Sequence, residues 1–154
     1  SVVFRKRLCM RDQIVGLFYM TFQKEFEFLV NGYGFHGPFF KEEPLLYKAW
    51  YQAKNIAIEH SLDWKDQAVD FYIFRLKNET IPYGWLFDDQ GERIRIPYLN
   101  WLLDNGIKDL QFPKLRGLSF SDQIPVEIHH NAYLLQKHGY IFLEDKLDAF
   151  LSSS

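Results

Sequence analysis

Cysteine is almost missing from these 154 residues, with Cys9 standing alone. One thiol cannot form an internal disulfide, and no neighbouring base marks it as a nucleophile. Cys9 therefore reads as a small hydrophobe in a chain suited to a reducing, cytoplasmic compartment. No apolar run approaches the roughly 20 residues that a membrane-crossing helix needs. Charge of one sign is also lacking: 18 Lys and Arg against 20 Asp and Glu leave a net charge of −2. Nothing in that balance draws the chain to nucleic acid or an anionic membrane. The only basic concentrations, Arg5-Lys6-Arg7 and Arg93 with Arg95, are too small to suggest either partner. Repeats, low-complexity tracts and linkers are missing as well, which leaves a single domain over residues 1–154.

Motifs for chemistry are equally scarce. Gly32-Tyr33-Gly34 follows a helical pattern instead of a strand and lacks the third glycine of a phosphate-binding turn. His129, His130, His138 and Glu127 are the nearest approach to a metal cluster. On a helix adjacent histidines point about 100° apart, and residues eight apart are two turns away, so this spacing does not make a zinc helix. No metal, cofactor or catalytic residue is expected.

Aromatic residues are abundant at 18%, and Phe alone supplies fifteen. Most belong to a core, while a few Trp and Tyr are of the kind that anchor partners. The clearest structural stretch is Asn55–Leu76. Ile56, Ile58, His60 and Leu62 alternate with Ala57, Glu59 and Ser61; after a polar turn, Val69, Phe71 and Ile73 alternate with Asp70, Tyr72 and Phe74. Period two predicts a hairpin. The polar set of its first strand predicts a sheet with one wet face, and the doubly apolar second strand is expected to be central. Leu45–Tyr51 supplies a third strand and Tyr83–Phe87 a short fourth.

Ile14, Phe18, Phe22, Phe26, Leu29 and Val30 recur at helical spacing, predicting a helix over 12–30 with Asp12 as N-cap and Gly32 as C-cap. Residues 31–38, rich in Gly and Pro, read as irregular. The chain opens with Ser instead of Met, and residues 1–19 read as an extension ahead of a domain that starts sensibly at Met20. Pro97–Leu103 begins a short helix stopped by Asn105-Gly106, and residues 107–121 read as irregular. A longer helix starts at Ser121-Asp122 with Pro125 in its first turn and Ile124, Ile128, Ala132, Leu135, Gly139 and Phe142 on one face; Gly139 is placed to split it. A last amphipathic segment covers Leu143–Leu151. The fold class is α+β: an antiparallel sheet of three to five strands flanked by an N-terminal helix and C-terminal helices.

Two turns carry the acidic residues, Asp63 and Asp66 in one and Asp88, Asp89 and Glu92 in the other, with Trp64 and Trp85 beside them. Acidic surfaces steer association with basic partners, so these seven residues are the candidate partner-binding set. Asp70 belongs to the first group as an acid–base candidate.

The order of elements adds a resemblance. Lys24–Val30 followed by Tyr33-Gly34-Phe35, then Val69-Asp70-Phe71 with Arg75-Leu76, and finally Ala132–Gly139, resembles small bacterial proteins found with polymorphic toxins. Over roughly residues 20–150 the chain is similar to immunity proteins of contact-dependent growth inhibition systems. The resemblance implies a non-enzymatic inhibitor that binds a cognate toxin domain, often a nuclease. It transfers no individual site residue, because such proteins carry specificity on variable surfaces. The alternative expectation is a small-ligand-binding protein or enzyme with an aromatic-lined pocket; a cleft joining His60 or the late histidines to an acid would favour it. A structural subunit would instead expose a large apolar patch.

Overall fold

Apolar spacing in the N-terminal third and alternation in the middle translate into ten elements in the computed structural model, which describes residues 2–81 and 86–143. Helices α1 (Val2–Glu25) and α2 (Glu27–Tyr33) precede β1 (His36–Glu42), β2 (Leu46–Gln52), β3 (Ile56–Asp63) and β4 (Ala68–Arg75). After these come β5 (Arg95–Pro97), α3 (Tyr98–Asp104), α4 (Phe120–His138) and α5 (Tyr140–Leu143). The strands form one antiparallel five-stranded sheet in chain order, β1-β2-β3-β4-β5. Helices α1 and α4 pack on each other and over one face of it. None of the helices among the described residues is long and apolar enough to cross a membrane.

The core lies between that helical layer and the sheet. Phe18, Phe22, Phe26 and Leu29 from the N-terminal helices meet Ile58, Leu62 and Ile73 from the sheet and Ile124, Ile128 and Leu135 from α4. Each fully buried side chain of this size contributes roughly 1.5–3 kcal/mol of hydrophobic stabilisation. The expected α4 face is buried as read, with Gly139 capping α4 and Phe142 buried in α5.

Several expectations are corrected. The N-terminal helix does not start at Asp12, which lies inside α1. Phe18 is wholly buried and Ile14 and Val15 pack against the core, so residues ahead of Met20 help build it. The helix breaks for one residue at Phe26 and resumes to Tyr33; Gly34, with a left-handed φ of 72°, is the C-cap instead of Gly32. The Gly- and Pro-rich stretch is not wholly irregular, because β1 begins at His36. Gly37 has φ 125°, and a Cβ there would stand 3.0 Å from the Trp50 carbonyl oxygen, so glycine lets an edge strand pass with a register irregularity before Phe39.

The wet face is also absent from β3, which is buried on both sides and is itself the central strand. Glu59 and Ser61 are 1% exposed. Burial of Glu59 is tolerated because Arg95 Nη2 on β5 donates to both its carboxylate oxygens at 3.2 and 3.3 Å. The Arg95 guanidinium in turn lies over the Phe74 and Tyr72 rings, 4.7 and 5.6 Å from their centroids. Helix α4 starts at Phe120 behind the Ser119 cap, a residue earlier than expected, which moves Pro125 into the second turn. Most of the expected Tyr83–Phe87 strand lies outside the described residues, though Phe87 bridges Arg93; all but the first residue of the expected Leu143–Leu151 segment also lies outside them.

Candidate functional site

The two acidic turns sit at opposite ends of β4. Asp63 and Asp66 close the β3–β4 hairpin, while Asp88 meets Lys77, just beyond the far end of the strand. Eight residues at about 3.3 Å each separate them by roughly 25 Å, so they do not form one patch.

The far turn is largely occupied with its own structure. Asp88 is buried; its Oδ1 accepts from the backbone N–H groups of Gln90 and Glu92, both at 2.9 Å, and its Oδ2 accepts from Lys77 Nζ. The Lys77 hydrogen bond, more than the two backbone N–H groups, holds the Asp88 carboxyl below its ordinary range. Glu92 lies 3.7 Å from Lys77 Nζ and 3.8 Å from Arg75 Nη2. Asp89 is exposed, and Trp85 lies outside the described residues.

At the near turn, Asp63 Oδ1 accepts from Asp66 N at 2.9 Å, an Asx-type closure. Trp64 is half-buried between the Arg11 guanidinium, 5.4 Å from its ring centroid, and Phe120, 6.4 Å away edge-on. It acts there as packing. The carboxylates around this turn are different, because Asp63, Asp66, Asp70 and Glu127 have no ion-pair partner among the described residues.

Asp70 and Glu127 line a cleft of about 320 Å³, near the lower end of the range for ligand pockets, while Asp63 and Asp66 act on Asp70 from the adjoining turn. The cleft exists because β5 is short. β5 pairs only with Tyr72, Ile73 and Phe74, so the outer edge of β4 from Ala68 to Phe71 is left without a described strand beside it. The cleft wraps around that edge, which is why Asp70 and Phe71 both line it although they point to opposite faces of the sheet. Helix α3 contributes Tyr98 and Leu99, and the irregular segment after it contributes Phe112 and Pro113. The opposite wall is α4, through Glu127, His130, Asn131 and Leu134. Spacings of three, four and seven put those four residues on one helix face.

The electrostatics follow from this geometry. Burial, helped by the negative charge of Asp70, pushes the Glu127 carboxyl up to about 6. Burial likewise raises Asp70, with Asp63 and Asp66 adding to the effect. The cleft thus holds two carboxyls, each raised because no cation offsets its desolvation. His130 is lowered by burial and by its neighbour His129, and its Nε2 is buried with no partner among the described residues.

Behind the cleft lies His60, completely buried and pushed by that burial down to about 3, so its ring stays neutral. Asn131 Nδ2 donates to His60 Nε2 at 3.0 Å, which leaves the ring proton on Nδ1. The ring stacks flat on Phe71, centroids 4.5 Å apart at 4°. His60 therefore supports two cleft-lining residues from behind.

Of the seven residues expected to bind a partner, Asp63 and Asp66 lie in the near turn with their charge felt by Asp70, Trp64 packs beside them, Asp88, Asp89 and Glu92 lie at the far end of the strand, and Trp85 lies outside the described residues. In the sequence Glu127 stands out only beside the late histidines, as part of an incomplete metal cluster. Its spacing to His130, Asn131 and Leu134 was a usable sign that it shares their face. Among the described residues no three His, Cys, Asp or Glu side chains converge as a metal site would require. No protein-family model matches the chain, and no curated protein or solved structure matches it either.

Proposed function

We propose that this chain is a non-enzymatic binding protein that neutralises a basic partner, a toxin domain of the nuclease type, by covering part of it with the acidic end of the β3–β4 hairpin and the adjoining cleft. One observation carries the reading: Asp70 feels the negative charge of Asp63 and Asp66, Glu127 feels that of Asp70, and none of the four forms an ion pair among the described residues. Crowded carboxylates repel one another, and a partner's Lys or Arg relieves that repulsion on binding. The same field steers encounter, because a cleft lined by one sign of charge raises the local concentration of the opposite sign. The toxin-neutralising class comes from the resemblance of Lys24–Val30, Val69–Phe71 and Ala132–Gly139 to immunity proteins; the acidic cleft adds a surface suited to that role. Co-expression with a cognate nuclease-type toxin domain is the test: growth should be restored and the two should co-purify. Survival no better than with empty vector rejects the proposal.

A second reading has one specific observation in its favour. The cleft brings a late histidine, His130, to the same wall as Glu127 and opposite Asp70, a set able to exchange protons near neutral pH. That arrangement suits a small-ligand protein or an enzyme. A metabolite library screened by thermal shift, with hits lost on His130→Ala, would support it over the first.

A further inference from the structure

We infer that the cleft between the free edge of β4 and α4 is an arginine-receiving pocket, shaped to take one guanidinium from the surface of a protein partner. The inference rests on the binding role proposed above and names the chemistry of its contact.

The fold itself shows what such a pocket looks like when filled. On the face of the sheet to which Asp70 also points, Glu59 is answered by Arg95, whose guanidinium lies over the rings of Phe74 and Tyr72. Near the hairpin tip, Arg11 lies over Tyr47 and Trp64, 5.1 and 5.4 Å from their centroids. Aromatic faces around a planar cation are thus a repeated arrangement in this chain, and at Arg95 a carboxylate completes it. The cleft has the same parts without a cation among the described residues that line it. Asp70 and Glu127 approach from different elements, one from the strand and one from the helix, and the walls are Phe71, Tyr98 and Phe112. Phe112 is 59% exposed at the rim, so much of its ring remains uncovered.

Arginine fits these parts better than lysine does. A planar fork can donate in two directions at once, to Asp70 and to Glu127, and can stack on Phe112 while doing so. A lysine ammonium is a hydrated point charge with no face to stack. The stem of an arginine entering from outside would lie along the apolar walls.

The experiment is a titration of the isotope-labelled protein with a blocked Gly-Arg-Gly tripeptide, followed by amide shifts. Lysine and citrulline versions and agmatine serve as further arms. Arginine should shift residues 70–72, 98–100 and 127–131, bind at least fivefold more tightly than lysine, and leave citrulline without effect. Asp70→Asn and Glu127→Gln should each weaken binding fivefold or more, with amide spectra that remain folded, and Glu42→Gln, on the exposed edge strand β1 at the opposite edge of the sheet, should change nothing. Equal affinity for lysine, shifts that map elsewhere, or indifference to both cleft substitutions would overturn the inference. Tighter binding of agmatine than of the tripeptide would reassign the pocket to a small guanidine and overturn the protein source. The binding role fails separately: if the tripeptide binds as described but co-expression gives no protection, that role is wrong and the pocket chemistry is not. If protection survives the Asp70→Asn/Glu127→Gln double substitution undiminished, the arginine pocket is wrong and the role stands.

Discussion

Glu127 and His60 are the two residues whose protonation distinguishes this protein, and they act in opposite directions. Glu127 has its folded value raised from 4.5 to about 6. A raised carboxyl favours the folded state below the ordinary value and loses that contribution as pH climbs from about 4.5 to 6, because the unfolded chain releases its proton first. At pH 7 the glutamate is therefore a net cost. Allowing for solvent screening of a half-exposed group, Glu127→Gln should raise stability by about 1 kcal/mol at pH 7 and by nothing at pH 4. Urea denaturation at both values reads this out, and an unchanged or lower midpoint at pH 7 contradicts it. Such a gain is expected where a residue is kept for binding at the expense of stability.

His60 runs the other way, with its folded value lowered from 6.5 to about 3. Above pH 6.5 both states are neutral and its contribution is complete. As pH falls below 6.5 the unfolded chain takes up a proton that the folded one refuses, at a loss of about 1.4 kcal/mol per pH unit. His60→Gln keeps a polar group towards Asn131 without the titration. Its stability should decline more gently than that of the parent protein between pH 6 and 4; identical slopes would show that His60 is not the group responsible.

At the level of elements, the most informative pair is Glu59 on β3 and Arg95 on β5, both nearly inaccessible. Burial pushes Glu59 up, with Arg95 and then Lys48 pulling it back down. Arg95→Met alone should lower stability by about 3–5 kcal/mol, because it strands a buried carboxylate. Combining it with Glu59→Leu should recover most of that loss, as apolar replacements of buried pairs generally do. A double variant as weak as the single one would mean that Arg95 matters chiefly through its contact with the Tyr72 and Phe74 rings.

The same pair explains what was legible in the sequence. The β3–β4 hairpin, the strand before it, the short helix after Pro97 and the buried face of α4 all follow from local periodicity, and local periodicity was enough for them. Glu59 looked like part of a solvent face because its covering cation is 36 residues away, and alternation alone cannot reveal a long-range partner. β1 was hidden because Gly37-Pro38 reads as a breaker unless an edge strand with a register irregularity takes it up. For the site, the Asp63–Asp66 turn was legible. The cleft was not, since it depends on β5 stopping short of Phe71 and on α4 presenting Glu127 opposite Asp70.

For the molecule as a whole, a net charge of −2 conceals an uneven distribution. The far turn ties up Asp88 and Glu92 internally through Lys77 and Arg75, while the near end of the same strand leaves Asp63, Asp66, Asp70 and Glu127 without described ion-pair partners. The proposed binding role requires that difference to matter. Co-expression with a cognate nuclease-type toxin domain, comparing the parent protein, the Asp70→Asn/Glu127→Gln variant and Glu42→Gln, measures it directly. Full protection by the parent and by Glu42→Gln, with at least a tenfold loss of surviving colonies for the cleft variant, is the expected result. No protection by the parent, or equal protection by the folded cleft variant, would contradict the account.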